Sequence, residues 1–150
     1  MSKAESKNGQ PRIIVYASHP ILAALTQFRL RLLELAPVVV SSEQEWQSEL
    51  LQSLPSLVII DLELNSGMAL SLIEQLACNE VTSRIPVLCM SSEGDLSTAE
   101  KAFQAGAADF LVVPFDPILL ENKVRQHLNQ PELRLSAGSN RKSLTAAASR

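Results

Sequence analysis

The feature that most constrains this chain is an alternation. Five short apolar runs, at 12–17, 37–41, 56–61, 86–91 and 110–113, are separated by segments with helical periodicity. Strands that alternate with helices pair in parallel, because each helix carries the chain back to the edge of the sheet where the next strand starts. None of the five runs alternates cleanly with polar residues, as expected of strands covered by helices on both faces.

The intervening segments carry their own boundary signals. Pro20 suits a first helical position, and Ile21, Leu25, Phe28 and Leu32 recur on one side, the stripe expected of a helix packed on a sheet. Ser42 and Glu45 fit a capping box ahead of Trp46, Leu50 and Leu54, and Pro55 keeps that helix from running into the third strand. Met68, Leu72, Ile73 and Leu76 form a third stripe. A fourth helix is expected between Asp95 and Gly106, which suits a left-handed cap, and a fifth from Asp116 with Pro117 as its first residue.

Composition narrows the class. A chain of 150 residues with 46% apolar and 19% charged residues has enough apolar surface for one core. The expected organisation is a flexible segment at 1–11, a single domain at 12–129 and a flexible tail at 130–150. The tail sets Arg134, Arg141, Lys142 and Arg150 against Glu132 alone and reads as a solvated terminus.

A net charge of −3 offers no basic footprint for nucleic acid. The hydrophilic opening MSKAESKNGQPR lacks the apolar core of a signal peptide, and no apolar stretch is long enough to span a membrane, so a cytoplasmic location is expected. Cys78 and Cys89 lack metal-ligand spacing and read as buried structural residues. No Ser-His-Asp order, glycine-rich phosphate loop or metal-binding His pair is present, so an independent enzyme is not expected. His19 reads as a loop residue ahead of Pro20, and His127 as a cation near the end of the fifth helix. Trp46 fits the apolar stripe of the second helix better than a binding anchor.

Four stretches then fall in a telling order. They are Leu57-Val58-Ile59-Ile60-Asp61, Ile85-Pro86-Val87-Leu88-Cys89-Met90-Ser91-Ser92, Ala105-Gly106-Ala107-Ala108-Asp109-Phe110 and Val113-Pro114-Phe115. Together they resemble the response regulator receiver domain of two-component signalling across about residues 12–129. The resemblance implies a flavodoxin-like (βα)5 doubly wound parallel sheet with strand order 2-1-3-4-5 and a site at the carboxyl ends of the strands. It makes Asp61 the equivalent of the phosphoacceptor, Ser91 and Phe110 the equivalents of the switch residues, and Lys101, Gln104 and Phe110 part of a partner face.

The sequence departs from the family at the chemistry. Aligned through His19-Pro20, Ala17 and Ser18 stand where the family places an acidic pair, and Val113 stands where it places a lysine. Magnesium prefers carboxylate oxygens in octahedral geometry, so no cofactor is expected, with weak magnesium binding only if Asp61 and Glu63 compensate. A phosphoryl group on Asp61 would lack both metal and ammonium. Asp61 is then expected to satisfy its carboxylate with Ser18, Ser91 and nearby amides.

The leading expectation is an atypical receiver that acts in signal transduction as a phosphorylation-independent interaction module. Its partner would be a pathway protein or a second copy, met through helix 4, strand 5 and helix 5, with no output domain attached. Two alternatives stay open: a phosphoryl-accepting single-domain regulator that uses Asp61, and a small-ligand sensor that uses the emptied cleft between Ala17, Asp61 and Val113.

Overall fold

Each apolar run becomes a strand and each periodic segment a helix in the computed structural model, which describes residues 9–64 and 67–128. In chain order the elements are β1 (Arg12–Tyr16), α1 (Pro20–Leu32), β2 (Ala36–Val40), α2 (Glu43–Gln52), β3 (Leu57–Asp61), α3 (Met68–Cys78), β4 (Val87–Ser91), α4 (Leu96–Ala105), β5 (Asp109–Val112) and α5 (Pro117–Leu128). Three strands are one residue shorter than the expected runs, and β2 and β5 are each shifted one residue toward the amino terminus. The expected tail at 130–150, and most of the expected leading segment, lie outside the described residues.

All pairings are parallel and the order is β2-β1-β3-β4-β5, the flavodoxin-like winding. Successive residues of a strand face opposite sides of the sheet, and this divides the core in two. Ile14, Tyr16, Val58, Ile60 and Cys89 face Trp46 of α2, Leu72, Ile73 and Leu76 of α3, and Ala102 and Ala105 of α4. Ile13, Val15, Ile59, Leu88, Met90 and Leu111 face Ala23 and Leu30 of α1 and Leu120 and Val124 of α5. Residues of β1, β3 and β4 are buried throughout, so the absence of polar alternation is explained by cover on both faces.

The helix ends follow the expected capping chemistry. Ser42 Oγ accepts from the Glu45 amide at 3.1 Å, and Glu45 Oε1 accepts in return from the Ser41 amide at 2.7 Å, one residue further out than the usual box. Asp95 caps α4 by accepting from Thr98, and Asp116 Oδ1 accepts from the Ile118 amide at 2.9 Å. Gly106 ends α4 at φ 125°, with the site of a Cβ only 2.7 Å from Ala77 Cβ.

Two expectations need correcting. The stripe Ile21, Leu25, Phe28 and Leu32 does not pack on the sheet: these side chains are 64%, 52%, 58% and 56% exposed. The face of α1 that meets the sheet is Ala23, Thr26 and Leu30, whose smaller residues let the helix approach closely, with Thr26 Oγ1 donating to the Leu22 carbonyl at 2.8 Å. Cys78 is also exposed, because it ends α3 off the buried stripe, whereas Cys89 is fully buried. Burial, reinforced by the charge of Asp109, pushes the Cys89 thiol up to about 12.

Candidate functional site

The carboxyl ends of β1, β3, β4 and β5 converge on one edge of the sheet. Asp61, the last residue of β3, pairs in register with Met90 of β4, and Tyr16, the last residue of β1, with Ile60. This places Ala17 and Ser18 on one side of Asp61 and Ser91 on the other.

Asp61 is 1% exposed, and its carboxylate is held by three donors. Ser18 gives its amide at 3.2 Å and its hydroxyl at 2.8 Å to Oδ2, while the Glu63 amide gives 2.9 Å to Oδ1. A buried carboxylate needs such partners, since its desolvation is otherwise uncompensated. Ser18 and the amide were expected in this role; Ser91 is not used. Ser91 Oγ instead accepts from the Glu93 amide at 3.0 Å, which shapes the loop after β4. A hydroxyl two residues ahead of a free amide closes a local turn more readily than it reaches a neighbouring strand.

Ala17 is buried in the core beneath β1, and half-buried Val113 packs against the same cluster. Its amide donates to the Ser91 carbonyl at 2.9 Å, and the Val113–Pro114 peptide is cis. Ala17 and Val113 thus both belong to the apolar cluster on that side of the sheet, while Ser18 lies against the Asp61 carboxylate.

Glu63 turns away from Asp61. Its Oε2 accepts from the Ser92 amide at 2.8 Å and also from the Ser92 hydroxyl. Those two bonds, the hydroxyl first, hold the Glu63 carboxyl below its usual range despite some burial. The side chain that was to compensate for the missing acidic pair is committed to a neighbouring loop, because two donors there outmatch a site already occupied by Asp61. Among the described residues, no group of three or more His, Cys, Asp or Glu is placed to hold a metal ion.

On the adjacent surface Lys101 and Gln104 of α4 are exposed and Phe110 of β5 is half-buried against the α3 and α4 side of the core. Phe103 of α4 and Val112 of β5 are also exposed on the same two elements, at 48% and 46%. Trp46 is core, 5.7 Å from the Tyr16 ring. His19 is more than a loop residue: its Nδ1 accepts from the Ile21 amide at 3.3 Å and caps α1.

A second polar cluster was not foreseen. Asp109 at the start of β5 accepts from Lys123 Nζ at 2.7 Å and lies 2.9 Å from His127 Nε2, both on α5. Burial pushes the Asp109 carboxyl up, but the bonds from His127, Lys123 and the Phe110 amide outweigh it and bring it to about 2. Arg12 similarly ties β1 to the end of α2 through the Ser53 and Glu49 carbonyls and the Glu49 carboxylate.

The sequence profile of the response regulator receiver domain matches residues 13–125. The chain is 26% identical over 122 residues to the DNA-binding dual master transcriptional regulator RpaA of Synechocystis sp., covering 81% of this chain and 51% of that protein. It is 25% identical over 120 residues to the phosphate regulon transcriptional regulatory protein PhoB of Rhizobium meliloti, covering 80% and 53%. The chain thus spans about half the length of the curated relatives it matches. A response regulator from Thermotoga maritima shares the fold, with TM-score 0.73 and 22% identity over 80% of this chain and 98% of that one. No helix among the described residues is long and apolar enough to cross a membrane.

Proposed function

The chain belongs to the response regulator receiver family of two-component signalling, and from that premise we propose that it acts as a protein-interaction module whose binding surface is set without phosphorylation. Receiver domains are signalling modules rather than enzymes in general, and nothing in the reading requires this one to turn over a substrate. The observation that carries the proposal is the state of Asp61, whose carboxylate is engaged by Ser18 and the Glu63 amide.

The donor set does not fit magnesium. A strongly hydrated divalent cation needs several oxygen ligands, and Asp61 would offer one carboxylate beside the methyl of Ala17 and the hydroxyl of Ser18. Glu63 is engaged by Ser92 and supplies none. A phosphoryl group at Asp61 would also face Val113, which has neither charge nor donor. Ser18 would have to leave Asp61 before the carboxylate oxygen became a nucleophile.

Lys101, Gln104, Phe103 and Phe110 form the proposed face toward a pathway protein. Phe103 is the exposed apolar side chain of α4 beside Gln104, and Lys101, two residues before it, lies on the other flank of the helix and contributes charge at the margin. The chain spans about half the length of these relatives, so the partner belongs to the proposal and not to the family assignment.

A phosphoryl-accepting reading keeps one observation in its favour: Asp61 and Ser91 both sit at the carboxyl edge of adjacent central strands, as the family requires. Amide NMR with magnesium and a beryllium fluoride phosphoryl mimic decides between them. The expected outcome is a spectrum of folded protein that does not change at Asp61, Ser91 and Phe110. Saturable shifts that spread from Asp61 to Phe110 would overturn the proposal in favour of a phospho-switch.

A further inference from the structure

Helix α1 has two apolar faces, and the monomer explains only one. Ala23, Thr26 and Leu30 are buried against the sheet. Ile21, Leu25, Phe28 and Leu32 lie on the other side at spacings of four, three and four, and each is more than half exposed. That spacing keeps all four side chains on one stripe opposite the buried face, a stripe that two helices can bury against each other as a d-a-d-a seam. Large apolar side chains that repeat at this interval on the solvent side are costly to leave wet.

We propose that α1 is a homodimerisation helix, and that its exposed stripe packs antiparallel against the same stripe of a second copy of this chain. The stripe is self-complementary about a two-fold axis between Leu25 and Phe28. Such an axis places Leu25 against the partner's Phe28 and Ile21 against the partner's Leu32, so a smaller side chain meets a larger one at the centre.

The available area matches what a dimer needs. At their exposures of 64%, 52%, 58% and 56%, the four side chains present on the order of 400 Å² of apolar surface, already the size of the largest patch on an ordinary monomer. Ile118 of α5, 59% exposed, extends the patch: it lies one turn before Glu121, whose carboxylate pairs with Arg29 of α1. The sum approaches the apolar share of a standard interface, which is somewhat over half of about 800 Å² per partner.

Charge selects the antiparallel arrangement. Helix α1 carries no acidic residue, and of its two arginines Arg29 is neutralised by Glu121 while Arg31 is exposed on the rim of the stripe. Parallel packing would align the two helix dipoles, whereas the antiparallel axis opposes them. The two Arg31 side chains then stand nine residues of helix apart along the axis, about 13 Å, which exceeds the screening length of about 8 Å at physiological salt. This dimer is independent of the phosphorylation question, since none of its contacts involves Asp61 or the α4 face.

Sedimentation velocity of the full chain from about 1 to about 200 µM, without magnesium, tests the proposal. The sedimentation coefficient is expected to rise from monomer to dimer across that range. Phe28→Glu and Leu25→Glu should each raise the dissociation constant at least about 100-fold, because every substitution enters an isologous interface twice. Phe103→Glu on α4 should leave the association unchanged. Circular dichroism confirms that the variants fold, which their exposure favours. A wild-type chain that stays monomeric throughout overturns the proposal, as does a dimer that survives both α1 substitutions or is lost with Phe103→Glu.

Discussion

Neutralising Asp61 is expected to destabilise this protein, and the sign of that effect separates the two readings of the site. In a receiver that holds an acidic pair beside its aspartate, like charges repel, and replacing the aspartate by asparagine relieves the repulsion. Here the neighbours are Ala17 and Ser18, and Asp61 accepts three hydrogen bonds at 1% exposure. An asparagine has one acceptor oxygen. If it faces the Ser18 donors, its amide nitrogen confronts the Glu63 amide; if it faces Glu63, the Ser18 amide is left unpaired. At least one bond to a charged acceptor is lost and one donor is stranded, at a net cost of about 2 kcal/mol. With a urea dependence of about 2 kcal/mol per molar for a domain of this size, the midpoint of Asp61→Asn should fall by about 1 M relative to wild type. Urea denaturation at neutral pH, followed by far-UV circular dichroism, measures it. A variant as stable as wild type, or more stable, would refute the view of Asp61 as a satisfied structural anchor.

Three further outcomes follow from other contacts. Asp109 sits at about 2 against an ordinary 3.8, so its stabilisation is fully present above pH 4 and is lost as the pH falls toward 2; this is worth about 2 kcal/mol. Thermal melts between pH 5 and pH 2 should show this loss in wild type and a shallower slope in Asp109→Asn, and equal slopes would contradict it. Gly106→Ala combines a backbone angle of 125° with a 2.7 Å approach to Ala77 and should cost at least about 2 kcal/mol, or about 8 °C of melting temperature by calorimetry. Glu63→Gln should weaken the hold on the Ser92 amide and raise its hydrogen-exchange rate about threefold; an unchanged rate would mean that Ser92 is held by its own loop.

The strands were legible to within a residue because a parallel sheet covered on both faces demands unbroken apolar runs, and few other structures do. Helix ends were legible where a side chain announces them, as Ser42, Asp95, Pro117 and Gly106 do. Periodicity failed on α1 for a physical reason: it identifies an apolar face but not the side on which the sheet lies, and this helix has two such faces, with the smaller residues inward. Cys78 departs from the burial usual for a free cysteine because it ends α3 off the buried stripe, a placement that cysteine spacing does not encode.

At the site, the approach of Ser18 to Asp61 could be read from the alignment of β1 with β3, since adjacent strands bring their carboxyl ends together. The pairing of Glu63 with Ser92 could not, because it joins two loops that are 29 residues apart and neither has a regular register. For Asp109, Lys123 and His127 the only available hint was that the two basic residues fall four apart on one side of α5, which says nothing about the acid that they meet.

The Glu63 tie has a consequence for the history of such a chain. It couples the loop after Asp61 to the loop that leads into α4, so displacement of one of them pulls on the other whether or not any chemistry occurs at the aspartate. On the proposed reading the route from site to surface is intact and only its trigger is missing. The distance back to a triggered molecule is then short: three side chains, at 17, 18 and 113, without any rebuilding of the path between them.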